Sequence, residues 1–212
     1  MGKTRLLIAD DHPIVREGFK QVLSETADMV VADEASNGQE VLGLVKKKQY
    51  DVVLLDISMP GRSGLEILKE VKTDYPGLPV LIVSIYPEEQ YAVRAFRAGA
   101  SGYLTKASAP TELIAAIRKL SSGGRYISSS LAERLTYYLD TDANKDPHEL
   151  LSDREYQVML MMASGKTVKE IADELCLSVK TISTYRTHIF QKMKMKNTAE
   201  VTLYAVQHKL VG

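Results

Sequence analysis

The chain has 212 residues, which is enough for one large domain or two modest ones that each bury a core. Its composition, 45% hydrophobic and 25% charged, is that of an ordinary soluble globular protein. The single cysteine, Cys176, excludes an intrachain disulfide and is expected to be a small core residue. No apolar stretch approaches the ~20 residues that span a bilayer, and the first apolar run stops at two aspartates. We therefore expect a cytoplasmic protein without membrane contact.

Charge is balanced overall but unevenly placed along the chain. The 27 basic and 27 acidic residues give a formal net charge of zero, which alone would argue against nucleic acid binding. Beyond Cys176, however, the only acidic residue is Glu200. The C-terminal end is therefore predicted to carry a basic patch. Its basic residues are Lys180, Arg186, Lys192, Lys194, Lys196 and Lys209.

Residues 5–121 alternate between short apolar runs rich in β-branched residues and longer segments of helical period. Because the apolar runs are continuous, helices should cover both faces of the sheet. The pattern predicts an α/β fold, a (βα)5 doubly wound parallel five-stranded sheet with right-handed crossovers. The predicted strands are Leu6–Ala9, Met29–Ala35, Val52–Leu55, Val80–Ser84 and Gly102–Leu104. The predicted helices are Pro13–Ser24, Gln39–Lys47, Leu65–Asp74, Glu88–Ala98 and Ala109–Ser121.

The chain changes character after residue 122. Residues 123–147 begin with glycines, end in a polar stretch closed by proline, and are predicted to form a linker with room for a short helix over Ser128–Leu139. From Leu151 onward the apolar residues recur with helical spacing, and capping boxes begin at Ser152 and Thr167. Two short helices joined by a tight turn predict a helix-turn-helix unit within an all-α four-helix domain. Its predicted helices are Ser152–Ser164, Thr167–Leu175, Val179–Met193 and Thr198–His208.

Reactive side chains follow or end four of the predicted strands. Asp10 and Asp11 follow the first strand, Asp56 the third and Lys106 the fifth, while Ser84 ends the fourth. Since the carboxyl ends of parallel strands meet at one edge, these groups should share a crevice. Three adjacent carboxylates need a cation, and Mg²⁺ suits oxygen ligands. Asp56 would then act as a nucleophile that forms an aspartyl phosphate, with Ser84 and Lys106 bonding the phosphoryl oxygens.

Residues 1–122 resemble a response-regulator receiver domain. The resemblance rests on the paired acids, the Asp-x-x-Met-Pro-Gly-x-x-Gly run from Asp56 to Gly64, Ser84, Tyr103 and Lys106. It implies that Asp56 accepts a phosphoryl group from a sensor histidine kinase. It also implies that Ser84 moves toward this group while Tyr103 rotates inward behind it. The Mg²⁺ ligands would be Asp11, Asp56 and the backbone carbonyl of Ser58, with Asp10 acting through a water molecule.

Residues 148–212 resemble the LuxR-type helix-turn-helix domain. The matching stretches are Leu151–Glu155, Lys169–Leu175 and Leu177–Tyr185. A receiver followed by this domain is the arrangement of the NarL/FixJ class of response regulators. The resemblance implies a transcription regulator that phosphorylation activates, often by freeing a DNA-binding helix that the receiver covers.

The helix over Val179–Met193 is predicted to enter the major groove of double-stranded DNA with its N-terminal part. An apolar stripe of Val179, Ile182, Ile189 and Met193 leaves the other faces polar. The base-edge candidates are Ser183, Thr184 and Thr187, through hydrogen bonds or through contact with a thymine methyl group. Phosphate or sugar contacts are predicted for Lys180, Thr181, Tyr185, Arg186 and His188, and Arg186 could instead reach a guanine.

The last predicted helix is expected to form the surface of a homodimer on DNA. This surface would comprise Val201, Tyr204 and Ala205, with His208 beside them. Helix-turn-helix dimers read paired half-sites spaced by ~10 bp. The histidines at positions 148, 188 and 208 are far apart in the sequence and are not expected to form a metal cluster.

Two other functions fit parts of the pattern. An aspartate-nucleophile phosphatase or phosphotransferase would use the same acids and turn over a substrate phosphate, although no cap domain or substrate-pocket signature is visible. A constitutive interaction or DNA-binding protein with a merely structural receiver would show no Mg²⁺ effect at Asp56. The complete set of acids with Ser84 and Lys106 favours a phosphoacceptor that is not an enzyme of many turnovers.

Overall fold

The computed structural model describes residues 2–128, 131–132 and 146–211. The chain divides into two compact units, residues 1–133 and 134–212, so the division falls within the stretch predicted as a linker. The helix considered over Ser128–Leu139 lies almost entirely outside the described residues. Within the described ranges, no helix is both long and apolar enough to cross a bilayer.

The N-terminal unit is a five-stranded parallel sheet with the strand order β2-β1-β3-β4-β5. The predicted fold class is confirmed, and element bounds differ from the predicted ones by at most two residues. The strands are β1 (Thr4–Ala9), β2 (Met29–Ala35), β3 (Val52–Leu55), β4 (Val80–Ser84) and β5 (Gly102–Thr105). The helices are α1 (Pro13–Ser24), α2 (Gly38–Lys47), α3 (Gly64–Asp74), α4 (Glu88–Arg97) and α5 (Pro110–Ser121).

Both faces of the sheet are covered, as the continuous apolar strands require. On one face, strand residues such as Leu54 and Leu81 form a buried cluster with Ile117 of α5. Their neighbours along the strands, such as Val53, are buried as well. Because successive side chains of a strand point to opposite faces, the second face is also buried. Tyr126, from the stretch predicted as a linker, packs against this cluster and its N–H donates to the carbonyl of Ser101 at 2.9 Å.

The C-terminal unit is helical, as predicted. A 3-10 turn at Pro147–Leu150 precedes its helices. Both predicted capping boxes are present, at Ser152 with Glu155 and at Thr167 with Glu170. Ser178 caps the following helix through its side chain. The helices are α6 (Asp153–Ala163), α7 (Val168–Glu174), α8 (Val179–Met193) and α9 (Thr198–Gln207).

Cys176 is exposed, so its assignment to the core was wrong. It follows α7 in the left-handed conformation, with φ of 52°. Its N–H donates to the carbonyl of Asp173 at 3.3 Å, and the N–H of Leu177 donates to the carbonyl of Ala172 at 2.9 Å. This is the Schellman pattern that ends helices. The backbone geometry of the turn, and not side-chain burial, therefore explains where Cys176 lies.

Candidate functional site

A crevice at the carboxyl edge of the sheet holds groups from four strand ends. We call it the acidic crevice; it comprises Asp10, Asp11, Asp56, Ser84 and Lys106. The N–H of Asp56 donates to the carbonyl of Ala9 at 2.9 Å, and the N–H of Lys106 donates to the carbonyl of Ser84 at 2.7 Å. Sheet hydrogen bonding thus continues into the residues that follow the strands, which fixes where their side chains begin.

Lys106 joins two buried carboxylates in the acidic crevice. Its Nζ lies 2.6 Å from Oδ2 of Asp10 and 2.9 Å from Oδ2 of Asp56, and each aspartate is only 1% exposed. Burial raises the pKa of Asp56 and the nearby Asp10 adds to this, while Lys106 opposes both. Burial alone would lower the pKa of Lys106, but Asp56 and Asp10 outweigh it and raise that pKa. The single ammonium of Lys106 therefore leaves the acidic crevice with an excess of negative charge.

The donor set of the acidic crevice suits a divalent cation. One ligand atom from each of Asp10, Asp11, His12 and Asp56 lies within 4.8 Å of the others. Oδ1 of Asp56 is buried and accepts no hydrogen bond in the part of the chain that the structure describes. A carboxylate oxygen in this state is available to a hard cation, which prefers such ligands. Ser58, the other predicted ligand, lies in the loop directly after Asp56.

His12, which directly follows the two aspartates in the sequence, is the fourth member of this cluster. It is the N-cap of α1 without a side-chain capping bond, and its Nδ1 lies 2.9 Å from Oδ1 of Asp11. Its N–H donates to Oδ1 of Asp10 at 2.9 Å. The Asp-Asp-His triplet was visible in the sequence, but only the turn into α1 shows that the third side chain faces the first two.

Ser84 and Tyr103 are connected through the backbone of Tyr86. Ser84 is fully buried, and its Oγ accepts from the N–H of Tyr86 at 3.3 Å. The hydroxyl of Tyr103 donates to the carbonyl of Tyr86 at 2.8 Å. Tyr103 is 1% exposed, and burial raises the pKa of its hydroxyl. The resemblance implied an inward rotation of this ring, and in the structure the ring already lies inside.

A glycine allows α3 to start directly against the phosphoacceptor candidate. A Cβ on Gly64 would lie 2.0 Å from the carbonyl oxygen of Asp56 and 2.8 Å from Cα of Ile57. Its N–H donates to the carbonyl of Ile57 at 2.9 Å, and Ser63 caps α3 in a capping box with Glu66. Any side chain at this position would push α3 away from Asp56. Gly64, the last residue of the Asp56–Gly64 run, therefore allows the backbone of α3 to lie close to the backbone of Asp56 and Ile57.

The second candidate site is the polar surface of α8. Ile182, Ile189 and Met193 are buried, as predicted, but Val179 is 51% exposed. Val179 is the first residue of α8, and helical side chains lean toward the N-terminus, so no preceding turn covers it. Among the predicted DNA contacts, Thr181 and Tyr185 are half-buried. The exposed ones are Lys180, Ser183, Thr184, Arg186, Thr187 and His188.

Glu155 of α6 holds the side of α8 in place. Its Oε2 lies 2.6 Å from Nζ of Lys192, and its Oε1 lies 3.4 Å from Nδ1 of His188. Burial would raise the pKa of Glu155, but Lys192 and the Ser152 cap outweigh it and hold the pKa below 4.5. His188 was predicted as a phosphate or sugar contact, and the structure gives it this second partner. The sequence offered no signal for an ion pair across 37 residues.

The predicted dimer surface on α9 was wrong for Val201, Tyr204 and Ala205, whereas His208 is exposed. Val201 and Ala205 are fully buried and Tyr204 is 9% exposed, because this face packs inside the C-terminal unit. The exposed apolar residues of α9 are Leu203 and Val206, at 60% and 53% exposure. They lie one turn apart on another face of the helix.

Two of the three histidines expected to be far apart are neighbours. The ring centroids of His148 and His208 are 6.3 Å apart. Nδ1 of His148 lies 2.7 Å from the hydroxyl of Tyr204, and the His208 ring stacks on the Tyr204 ring at 3.9 Å. The 3-10 turn before α6 brings His148 to α9, which the sequence separation of 60 residues did not reveal.

Both halves of the chain match known families. Residues 6–118 match the response regulator receiver domain, and residues 149–205 match the bacterial regulatory proteins of the luxR family. The chain belongs to the NarL/FixJ class of response regulators. It is a two-component response regulator with a LuxR-type DNA-binding domain. The receiver implies a histidine kinase as partner, and the acidic cluster is consistent with a divalent metal site.

Relatives span nearly the full length of this response regulator. It is 38% identical over 208 residues to the response regulator GacA of Pseudomonas viridiflava, covering 98% of this chain and 97% of that one. It is 35% identical to the response regulator UvrY of Escherichia coli over 206 residues, covering 97% and 94%. RcsB of Salmonella typhimurium aligns with a TM-score of 0.69 and 26% identity over 98% and 99% of the two chains. A structure of an RcsB-DNA complex aligns with a TM-score of 0.60 and 27% identity over the whole of both chains.

Proposed function

We propose that this response regulator is a transcription regulator that a sensor histidine kinase activates by phosphorylating Asp56. A carboxylate oxygen of Asp56 attacks the phosphorus of a phosphohistidine, the P–N bond breaks, and the kinase imidazole leaves with the electron pair. The observation that carries this proposal is Oδ1 of Asp56, which is buried at a strand end and accepts no hydrogen bond among the described residues. Its neighbour Oδ2 is held by Lys106 at 2.9 Å. Lys106 thus holds the carboxylate in place through Oδ2, and Oδ1 is left open for a cation or for the phosphorus.

The surrounding groups have distinct roles in the proposed transfer. A bound Mg²⁺, held by Asp11, Asp56 and the backbone carbonyl of Ser58 with Asp10 acting through water, would neutralise charge on the phosphoryl oxygens. The ammonium of Lys106 and the hydroxyl of Ser84 donate to those oxygens. The excess negative charge around Asp56 supports a cation requirement, because carboxylates at this distance repel one another and the incoming phosphoryl group.

The output in this proposal is binding of double-stranded DNA by a homodimer. The exposed polar surface of α8 enters the major groove with its N-terminal half, and no acidic residue occurs between positions 177 and 199. Leu203 and Val206, and not the buried face of α9, form the contact between the two copies. Phosphorylation raises DNA affinity by favouring this dimer. We place the protein in the cytoplasm, where DNA and a kinase phosphodonor are both accessible.

We infer that Asp56 receives one phosphate and does not catalyse many turnovers, apart from slow phosphorylation and dephosphorylation of itself. A phosphatase with the same acids would release phosphate from a substrate continuously. The chain also carries a DNA-binding domain of the LuxR type, which a stable phosphoryl group on Asp56 could regulate. This favours a phosphoacceptor over a phosphatase.

The test is incubation with a small phosphodonor and Mg²⁺, followed by intact-mass measurement and peptide mapping. Wild type should gain one phosphoryl group on Asp56, and EDTA should prevent the gain. Asp56→Asn should gain none, whereas Asp74→Asn, which alters an exposed aspartate at the end of α3, should behave as wild type. Phosphorylation elsewhere in wild type, or continuous release of phosphate without a stable adduct, would contradict the proposal.

A further inference from the structure

Three hydroxyl side chains on the polar surface of α8 are hydrogen bonded to their own helix. Oγ1 of Thr184 donates to the carbonyl of Lys180 at 3.1 Å, and Oγ1 of Thr187 donates to the carbonyl of Ser183 at 3.1 Å. Oγ of Ser183 donates to the carbonyl of Val179 at 2.9 Å. Each hydroxyl has one proton, so none of the three has a donor left for a base edge.

The same conformation exposes methyl groups in the two threonines. Cβ of threonine carries a hydroxyl and a methyl, and bonding of the hydroxyl to the preceding turn is a preferred arrangement in helices. Thr184 and Thr187 are both exposed, and residues three apart lie on one helix face. The groups that these two side chains offer to a ligand are therefore an apolar methyl and a hydroxyl oxygen that can accept a hydrogen bond but not donate one. Ser183 has the same hydroxyl arrangement without a methyl.

We propose that Thr184 and Thr187 read thymine bases by contact between their γ-methyl groups and the 5-methyl groups of thymine. The inference rests on the proposed entry of α8 into the major groove and specifies what α8 recognises there. The thymine methyl is the one apolar group that base pairs present in the major groove. Guanine, which presents acceptors, needs a donor, and the hydroxyls of these residues are already used. Lys180, exposed on the preceding turn, supplies positive charge toward the phosphates.

The test compares two substitutions that separate the methyl from the hydroxyl. A duplex selected from a random pool by the phosphorylated full chain serves as the probe, together with copies in which deoxyuridine replaces thymine at one position at a time. Thr184→Val keeps a methyl and should bind within two-fold of wild type. Thr184→Ser keeps the hydroxyl and should bind about four-fold more weakly, the effect of one buried methyl group. The same pair is made at Thr187. The control is Thr73→Ser, which removes a methyl group from an exposed threonine of α3 whose hydroxyl likewise donates to its own helix, to the carbonyl of Lys69 at 2.8 Å.

Deoxyuridine identifies the partner base. It should weaken wild-type binding about four-fold at one or two positions, and Thr184→Ser or Thr187→Ser should no longer respond at the position that each residue reads. Circular dichroism melting of each variant verifies that α8 is intact. Weak binding by Thr184→Val with normal binding by Thr184→Ser would overturn the proposal, and so would indifference of wild type to deoxyuridine at every position. A wild-type chain that selects no sequence would overturn the proposed function itself, before any variant is compared.

Discussion

Replacement of Lys106 by methionine should strongly destabilise the N-terminal unit when no divalent cation is present. The ammonium lies 2.6 Å from Asp10 and 2.9 Å from Asp56, and both carboxylates are 1% exposed. At an effective dielectric constant of about 20, each contact corresponds to an attraction of about 6 kcal/mol before desolvation is counted. Removing one partner of a buried ion pair costs about 3–5 kcal/mol, because the other charge stays buried. Because burial already raises the pKa of Asp56, this carboxylate can take up a proton when Lys106 is removed. That uptake limits how much stability the substitution can cost.

The assay is urea-induced unfolding of the full chain in EDTA, followed by circular dichroism. Asp56→Asn should be neutral or stabilising, because it removes a carboxylate that burial disfavours. The double variant should recover about half of the loss caused by Lys106→Met, because one buried charge has gone. Lys119→Met, at an exposed position of α5, is the control and should change stability by under about 0.5 kcal/mol. A loss below about 1 kcal/mol for Lys106→Met, or strict additivity with Asp56→Asn, would refute this electrostatic account.

Three further predictions concern other parts of the chain. Gly64→Ala should destabilise the N-terminal unit by about 3 kcal/mol in urea unfolding, because the new methyl meets backbone atoms, whereas Gly18→Ala in the middle of α1 meets nothing and should stabilise it by about 1 kcal/mol. Glu155→Gln should cost the C-terminal unit about 2 kcal/mol. Since the folded pKa of Glu155 is lowered, wild type should keep this advantage above pH 4.5 and lose it as the pH falls further, which unfolding curves at several pH values check. Serine at both Leu203 and Val206 should weaken DNA-bound dimerisation about ten-fold in sedimentation and gel-shift measurements without lowering the melting temperature.

The strands and the acidic crevice were predictable because few arrangements fit the sequence pattern. A run such as Val52–Leu55 is apolar throughout and is buried at every residue, so its end and the following Asp56 were unambiguous. Parallel strands then required the groups after β1, β3 and β5 to meet at one edge. The interior position of Tyr103 in this structure depends instead on packing around Tyr86, which no local pattern encodes.

The prediction of the dimer surface was wrong for a physical reason that applies to short apolar helices. Helix α9 has apolar residues on more than one face, so Val201 and Ala205 could be placed outside as easily as Leu203 and Val206. Only the packing of the C-terminal unit shows which pair is buried. The neighbouring rings of His148 and His208, and the ion pairs of Glu155, likewise depend on long-range packing.

We propose above that phosphorylation of Asp56 controls DNA binding by the C-terminal unit. The most direct test is the dissociation constant of the full chain for its selected duplex, measured with and without a small phosphodonor in Mg²⁺. Wild type should bind at least about ten-fold more tightly after phosphorylation, and Asp56→Asn should not change. Equal affinity of wild type in both conditions, or the same gain in Asp56→Asn, would contradict the proposal.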